Sequence, residues 1–482
     1  MGGARPWPHR PGGLTLAMNA LFISATQKSS GKTTVTLGLA AVLAARGKAV
    51  QAFKKGPDYI DPLWLSRASG RPCRNLDFHT MNNHEITAAF QRHSQAADVA
   101  IIEGNKGLFD GVDVEGGDSN AALAQLLDVP VVLVVDTRGM TRGIAPLVSG
   151  YVAFDGAERI AGVILNQVGG PRHEGKLRAA MEHYTDVPVL GALGRHPDIA
   201  IAERHLGLVP ANETTEADAL ITRVAEVVAA GVDLERVAAL SAGVTGHLHE
   251  VTPAVRTPDV RIAVARDAAF GFYYPDDLEA LARAGAELVP FDSLTDAALP
   301  TADGLFVGGG FPETQAAGLA ANESLRRQIR NALEGGMPAY AECGGLIYLS
   351  RGLSWRGVHH DMVGFVPGDT VLHERPVGRG YATLKETDTI PWGGSPGPAT
   401  LLHAHEFHHA SLENLPGGLD YAYEVTRGHG IDGRHDGLVL GNLLAGFCHQ
   451  RDVAANRWAG RFVDFVRACR AGQNAGKAAI AR

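Results

Sequence analysis

The sequence predicts a two-domain α/β protein, and three observations lead to that prediction. Short β-branched runs alternate with segments of helical length, a pattern typical of parallel sheets covered by helices on both faces. The alternation gives way to Ser, Gly, Thr, His and Pro over residues 241–260, which is typical of a linker. A second alternating series then begins, and 482 residues are enough for two large domains.

The apolar runs place the individual elements. In the first half, strands are predicted at 21–25, 49–53, 99–103, 131–136 and 162–166, with a helix at 33–46. In the second half, strands are predicted at 261–266, 287–291, 304–307 and 338–342. The expected organisation is a disordered leader at 1–18, or an upstream start with Met18 as the natural first residue, a domain at 19–240, a linker at 241–260, a second domain at 261–470 and a disordered tail at 471–482.

Composition excludes several functional classes. The formal charge of −8 argues against a general nucleic-acid binder, which would need a basic surface. No apolar run approaches the ~18 residues that span a bilayer, so no membrane partner is expected. The four cysteines show no CxxC pairing, which indicates a reducing, cytoplasmic compartment.

A phosphate-binding loop is predicted between the first strand and the first helix, where residues 26–34 read Thr-Gln-Lys-Ser-Ser-Gly-Lys-Thr-Thr. Thr26 holds the first glycine position of the G-x-x-x-x-G-K-[ST] pattern. Such a loop points backbone N–H groups at phosphate oxygens. The predicted ATP-binding residues are Ser30, Gly31, Lys32, Thr33 and Thr34. Lys32 would contact the β- and γ-phosphates and the Thr33 hydroxyl a Mg²⁺ ion.

Three acids follow strands of the same predicted sheet. Asp58 and Asp61 come after the second strand, and Glu103 ends the third. Parallel sheets bind ligands at the carboxyl ends of their strands, and carboxylates are ligands that Mg²⁺ prefers. A magnesium site near the phosphate loop is therefore expected.

The second half carries a candidate nucleophile. Cys343 lies in Ala-Glu-Cys-Gly-Gly, between a predicted strand and an apolar helix. A nucleophile on such a sharp turn needs small neighbours, and a helix N-terminus lowers the pKa of a thiol. Gly344, with Gly309 and Gly310 of an upstream glycine run, is expected to form an oxyanion hole.

A cysteine nucleophile also needs a base. His449 is the best of 20 histidines, because it comes late in the domain after an apolar strand. No acid lies two residues beyond it, and Asp452 is three residues beyond. We therefore expect a Cys343–His449 dyad.

Residues 405–409 read His-Glu-Phe-His-His and match the H-E-x-x-H pattern of zinc peptidases. That chemistry needs both histidines on one helix face. The flanks are too short for a convincing helix, so a structural or substrate-contacting role is favoured over zinc.

Four segments together resemble the amidating domain of the cobyrinate a,c-diamide synthases: KKGPDYIDP, IEGNKGLFDG, VILNQVG and ERHLGLVP. That domain is similar to dethiobiotin synthetase and is followed by a flavodoxin-like class I glutamine amidotransferase domain. The likeness covers residues 21–466. It implies that Asp61 and Glu103 bind the metal and that Asn166 contacts adenine. It also implies that Asp58, Tyr59 and Ile60 handle the substrate carboxylate.

The resemblance implies amidation of the a and c acetate groups of cobyrinate in cobalamin biosynthesis. ATP and Mg²⁺ would be the cofactors, and a tetrapyrrole polycarboxylate and L-glutamine the small-molecule partners, with a homodimer left open. Lys55, Asn105 and Lys106 depart from the family pattern, which keeps sirohaem as an alternative acceptor. A regulatory P-loop ATPase with an inactive second domain is a further alternative. Such an ATPase would usually carry a lysine where Gln27 stands, and the intact Cys343 and His449 argue against it.

Overall fold

The computed structural model describes residues 15–154, 159–204, 207–241, 244–247, 256–393 and 400–480. The strands of the first half are β1 (Thr15–Met18), β2 (Ala20–Ala25), β3 (Val50–Lys55), β4 (Arg74–Leu76), β5 (Val99–Glu103), β6 (Val131–Asp136), β7 (Ile160–Val168), β8 (Val189–Gly194), β9 (Glu203–Arg204), β10 (Gly207–Leu208) and β11 (Val244–His247). The helices of the first half are α1 (Lys32–Ala45), α2 (Ile60–Ser69), α3 (Asn83–Ser94), α4 (Asn120–Leu127), α5 (Ile144–Ala153), α6 (Pro171–Tyr184), α7 (Ala217–Gly231) and α8 (Leu234–Leu240).

A seven-stranded parallel sheet organises the first half, in the order β4-β3-β5-β2-β6-β7-β8. Helices α1, α2 and α7 pack on one face, and α3, α4, α5 and α6 on the other. All residues of β2, β5 and β6 are buried, as expected for strands covered on both faces. All five predicted strands are present. The two unpredicted strands, β4 and β8, lie at the sheet edges, where β4 has only three residues and β8 carries two glycines.

The second half contains β12 (Val260–Ala265), β13 (Ala286–Phe291), β14 (Gly304–Val307), β15 (Ala339–Glu342), β16 (Gly352–Trp355), β17 (Val358–Asp361), β18 (Asp369–Leu372), β19 (Gly378–Glu386), β20 (Leu401–His408), β21 (Ala410–Glu413), β22 (Asp420–Arg427), β23 (His435–Leu440) and β24 (Leu443–Gly446). The helices of the second half are α9 (Pro275–Arg283), α10 (Ala316–Ala321), α11 (Glu323–Glu334), α12 (Gly344–Leu349) and α13 (Trp458–Ile480).

A nine-stranded mixed sheet organises the second half, in the order β13-β12-β14-β15-β24-β23-β22-β19-β20. The first five strands are parallel. Counted within this domain their order is second, first, third, fourth, last, which is the flavodoxin arrangement. The remaining four strands extend the sheet antiparallel. The predicted α/β fold class is confirmed in both halves.

The structure differs from the expected organisation at three places. Residues 15–18 of the expected leader form β1, which pairs antiparallel with β11 inside the expected linker. In the expected tail, α13 continues to Ile480, because the segment Ala-Gly-Lys-Ala-Ala-Ile is rich in good helix formers.

Among the described residues, no helix has the length and hydrophobicity to cross a bilayer.

Polar contacts hold the two halves together. Arg74 at the start of β4 forms an ion pair with Asp276 on α9 at 3.0 Å, and Arg451 contacts the same carboxylate at 3.2 Å. The Tyr381 hydroxyl on β19 donates to Asp77 of the first half at 2.8 Å. These contacts place the loops after β2, β3 and β5 against the loops after β14, β15 and β24, where the predicted site residues lie.

Candidate active site

The phosphate loop connects β2 to α1 in a tight turn. Ser29 and Gly31 have positive φ angles of 62° and 92°, the left-handed region that favours glycine. A Cβ atom at residue 31 would lie 2.1 Å from Nδ2 of Asn166. That amide donates to the Ser30 carbonyl at 2.8 Å. Asn166 therefore braces the loop, and its adenine contact stays a prediction.

Lys32, Thr33 and Thr34 begin α1 and line the cavity beside the loop. The Lys32 ammonium donates to the carbonyl of Lys106 at 2.5 Å. Burial, together with repulsion from Lys54, lowers the pKa of Lys32 to about 8. Lysine at this place in a phosphate loop binds anionic oxygens, and an incoming phosphate would restore the full positive charge.

The predicted metal ligands converge around Lys54. The Thr33 hydroxyl donates to Oε1 of Glu103 at 2.7 Å. The Lys54 ammonium binds the same oxygen at 2.8 Å and also pairs with Asp61. Burial raises the pKa of Glu103 to about 7 despite the lysine.

These residues fit a magnesium ion. Glu103 is fully buried, and its Oε2 atom has no hydrogen-bond partner among the described residues. A buried carboxylate oxygen without a partner is costly, and a cation would satisfy it. Hydroxyl and carboxylate oxygens from Thr33, Asp61 and Glu103 are the donors that Mg²⁺ prefers.

The segment Asp58, Tyr59 and Ile60 joins this cluster to the second half. Asp58 Oδ1 accepts the backbone N–H groups of Ile60 and Asp61 at 2.9 and 3.2 Å, which fixes the start of α2. Tyr59 packs on the aromatic ring of Phe272 at 5.3 Å and near the imidazole of His449 at 5.0 Å. All three residues line the cavity, so the segment that is predicted to hold the substrate carboxylate also contacts the predicted base.

Cys343 occupies a sharp turn between β15 and α12. Its φ of 48° and ψ of −101° are rare for a residue with a side chain and mark local strain. The Cys343 N–H donates to the Gly446 carbonyl at 2.7 Å. Although the residue is only 7% exposed, its side chain lines the cavity. This is the geometry expected for a nucleophile at a strand-to-helix turn.

The predicted oxyanion glycines lie around the thiol. A Cβ atom at residue 344 would lie 3.0 Å from the Gly310 nitrogen, and one at residue 310 only 1.9 Å from the Ala269 carbonyl. A Cβ atom at residue 309 would lie 2.5 Å from the His449 ring. Only glycine lets these backbones approach so closely. The structure brings Gly309, Gly310 and Gly344 to the site, and their oxyanion role stays a prediction.

His449 is next to the nucleophile. It exchanges two backbone hydrogen bonds with His405, at 2.7 and 3.1 Å. Burial alone would lower its pKa, but the contacts with Cys343 and Glu342 outweigh burial and raise the pKa to about 10. The proximity of thiol and imidazole agrees with the predicted pair.

A buried carboxylate lies beside the predicted base, and the Cys343–His449 pair itself stays a prediction. Glu342 places Oε2 3.3 Å from Nδ1 of His449. The carboxylate comes from the strand that precedes the nucleophile, whereas the sequence pattern predicts such an acid after the histidine. The one signal in the sequence is that Glu342 is the one charged residue of the buried strand Ala-Tyr-Ala-Glu, and this does not identify His449 as its partner.

The His-Glu-Phe-His-His segment forms part of β20 and the residue after it, so the structure excludes the helix that a zinc peptidase motif needs. Glu406 is 1% exposed and accepts the backbone N–H groups of His429 and Gly430 at 2.6 and 2.9 Å. His408 stacks on Phe447 at 4.0 Å. The glutamate is thus a structural acceptor, while His405 and His409 line the cavity.

One cavity of about 1120 Å³ connects the phosphate loop with the thiol site. It is lined by Lys32, Thr33 and Glu103 of the first half and by Cys343 and His449 of the second. This volume exceeds the ~300–1,000 Å³ of most small-molecule sites. The two predicted reaction centres therefore open into a common space large enough for more than one substrate.

Comparison with known proteins agrees with this division. Residues 21–209 match the model of the CobQ/CobB/MinD/ParA nucleotide binding domain, and residues 261–453 match the CobB/CobQ-like glutamine amidotransferase domain. The ERHLGLVP segment falls partly on residues 205–206, outside the described residues.

Three relatives that match over nearly the whole chain share one name. A cobyrinate a,c-diamide synthase of Magnetococcus marinus is 48% identical over 447 residues, which are 91% of this chain and 95% of that protein. One of Methanosarcina acetivorans is 41% identical, covering 92% of this chain and 94% of that protein. One of Archaeoglobus fulgidus is 40% identical, covering 93% of this chain and 98% of that protein.

Proposed function

The chain belongs to the cobyrinate a,c-diamide synthase family, and from this relationship we propose that it converts two acetate carboxylates of cobyrinate into primary amides. It is a glutamine-dependent amidating ligase. The proposal adds ATP as the activating substrate, the a and c acetates as the reacting groups and glutamine hydrolysis at Cys343. The cavity shared by the phosphate loop and Cys343 is the observation that carries it.

Glutamine hydrolysis would begin at Cys343. Its thiolate attacks the side-chain amide carbon of glutamine, and the oxyanion forms beside Gly310 and Gly344. His449 then gives a proton to the leaving nitrogen, so ammonia departs and a γ-glutamyl thioester remains. Water hydrolyses the thioester to glutamate and returns the thiol.

Carboxylate activation would take place at the phosphate loop. A carboxylate is a poor acyl donor until one of its oxygens becomes a leaving group, and transfer of the ATP γ-phosphoryl group makes it one. Lys32 would stabilise charge on that group. Ammonia then attacks the acyl phosphate, loses a proton and expels phosphate, which leaves the amide.

Three side chains could hold a magnesium ion in this scheme. Thr33, Asp61 and Glu103 would hold Mg²⁺, which when bound neutralises charge on the phosphate oxygens. Lys54 supplies a fixed positive charge between Asp61 and Glu103 and keeps these two carboxylates close together.

The cavity wall favours a polyanionic acceptor. Apart from Lys28 and Lys32 of the phosphate loop and the paired Lys54, four cations line it: Lys55, Lys106, Arg379 and Arg427. Among the described residues none of the four forms an ion pair. Lys55 is only 5% exposed, and burial lowers its pKa to about 8. Unpaired cations from both halves would bind acceptor carboxylates that are not being amidated.

The acceptor is tested by incubating the protein with ATP, Mg²⁺ and glutamine against cobyrinate and sirohaem in parallel. We expect the mass of cobyrinate to shift by the difference between two carboxylic acids and two primary amides. Sirohaem is the second candidate, because Lys55 and Lys106 add charge where the family pattern is uncharged. Amidation of sirohaem alone would replace cobyrinate as the acceptor, and amidation of neither would contradict the proposed substrate class.

Replacing Arg379 by alanine is expected to raise the KM for the tetrapyrrole by roughly 10-fold, the effect of one lost charge-assisted hydrogen bond. The KM for glutamine should not change, because Arg379 is one of the cavity cations (Lys55, Lys106, Arg379 and Arg427) that would bind the acceptor; we call these four residues the acceptor wall. Steady-state amidation rates at varied acceptor concentration measure the effect. Arg351→Ala is the control, since Arg351 pairs with Asp369 and does not line the cavity. Equal effects of both substitutions would contradict the proposed acceptor wall.

A further inference from the structure

We infer that Glu342 is the positioning residue of the glutamine site, so that nucleophile, base and orienting carboxylate are Cys343, His449 and Glu342. The inference rests on the proposed function in one respect, that Cys343 and His449 hydrolyse glutamine. It goes further by giving a role to an acid that precedes Cys343 in the sequence and does not follow His449.

The contact joins two buried side chains. Oε2 of Glu342 lies 3.3 Å from Nδ1 of His449, and the two side chains are 6% and 4% exposed. Nδ1 forms no hydrogen bond of normal geometry to any described residue, so the Glu342 carboxylate 3.3 Å away is the acceptor within reach of its N–H. An imidazole that donates through one nitrogen to a carboxylate has its tautomer and ring orientation fixed, and its other nitrogen is left free to act on the thiol.

Glu342 is itself held in place. Its Oε1 atom accepts the Tyr340 hydroxyl at 2.5 Å and the Gln450 backbone N–H at 3.0 Å. Tyr340 is packed between the aromatic rings of Phe306 and Trp458. With Oε1 occupied twice, the carboxylate is fixed and Oε2 is presented to the imidazole. A rigid orienting group of this kind is what preorganised sites require.

Strand register explains why the acid comes from this position. Glu342 ends β15 opposite Gly446 of the parallel strand β24, and His449 follows Gly446 by three residues. The carboxylate before the nucleophile and the base after the neighbouring strand therefore meet at the same sheet edge.

Asp452, the acid that follows His449 in sequence, has other partners. Its Oδ2 accepts the backbone N–H of Ala459 at 3.1 Å. Its Oδ1 pairs with Arg457 at 3.2 Å. The Ala459 contact ties the segment before α13 to the first turn of that helix, and Arg457 lies directly before the helix. Asp452 thus stabilises the chain after the base, and Glu342 is the carboxylate that reaches the base.

The negative charge of Glu342 acts on the pKa of His449. The titratable groups that face His449 are Cys343, Glu342, Tyr59 and His405, and Glu342 is the one carboxylate among them. It stabilises the imidazolium that accompanies the thiolate. Removal of its charge lowers the pKa of His449, so the imidazolium loses its proton at lower pH and the alkaline decline in activity moves to lower pH.

The test is the glutaminase activity of Glu342→Gln, read as glutamate release over a range of glutamine concentrations and pH. We expect kcat to fall by roughly 10²–10⁴-fold, as when an orienting carboxylate becomes an amide, with the KM for glutamine changed by less than about 3-fold. The alkaline limb should move to lower pH, and amidation with added ammonia should continue. Glu342→Asp, which keeps the charge, should recover part of kcat.

Glu386→Gln is the matched control, because Glu386 is a buried carboxylate of the same sheet that pairs with Arg461 instead. It should leave the kcat of glutamine hydrolysis unchanged. Wild-type kcat and pH profile in Glu342→Gln would overturn the inference, as would an equal loss of the ammonia-dependent reaction, which would indicate a folding role. Absence of glutamate release by the wild type would overturn the proposed function and the inference together.

Discussion

Replacing Cys343 by serine is expected to abolish amidation with glutamine and to leave amidation with added ammonia at the wild-type level. A serine hydroxyl is far less ionised than a thiol, and this site provides a base matched to a thiol. Loss of a nucleophile costs roughly 10³-fold or more in kcat. The synthetase residues lie on the other domain and do not need the thiol.

Two assays measure this result: glutamate release, and acceptor amide formed from glutamine or from ammonium. Cys469→Ser is the control, since Cys469 is a partly exposed cysteine on α13 that does not line the cavity. Loss of both nitrogen sources in Cys343→Ser would contradict the separation of the two sites.

Replacing Lys32 by alanine is expected to reduce amide formation and to spare glutamine hydrolysis, which is the reverse of the result expected for Cys343→Ser. Amide formation should fall by roughly 10²-fold or more with either nitrogen source, because the transferred phosphoryl group loses its fixed cation. Glutamine hydrolysis should continue, since Lys32 does not contact Cys343 or His449.

The two activities are again assayed separately, with phosphate release as a third measure. Lys48→Ala is the control, because Lys48 is exposed beyond the end of α1 and is not a cavity residue. If Lys32→Ala lost glutaminase activity but kept ammonia-dependent amidation, the assignment of ATP to the phosphate loop would be wrong.

The parts of this site that local sequence determines were predictable. The phosphate loop needs a glycine where Gly31 has a positive φ, and the turn at Cys343 needs small neighbours. Both requirements therefore appear as local sequence motifs. Buried strands such as β2 and β6 are continuous apolar runs, which identifies them without any knowledge of their partners.

The parts that depend on pairing between distant segments were not predictable. Glu342 reaches His449 only because β15 and β24 are neighbours in the sheet. The sequence of neither strand alone determines that they pair. The same holds for β1, whose strand needs β11 as a partner, and for β20, where a helix-type motif lies in an antiparallel sheet. The cations of the cavity wall come from both domains, and only the folded chain brings them together.

Transfer of labelled nitrogen tests the coupling of the two sites most directly. The protein is incubated with ATP, Mg²⁺, cobyrinate and glutamine labelled at its amide nitrogen, in the presence of excess unlabelled ammonium. We expect the label to enter both new amides with little dilution, because ammonia released at Cys343 would enter the cavity that Cys343 shares with the phosphate loop. Amides that carry the isotope ratio of the bulk ammonium would contradict it.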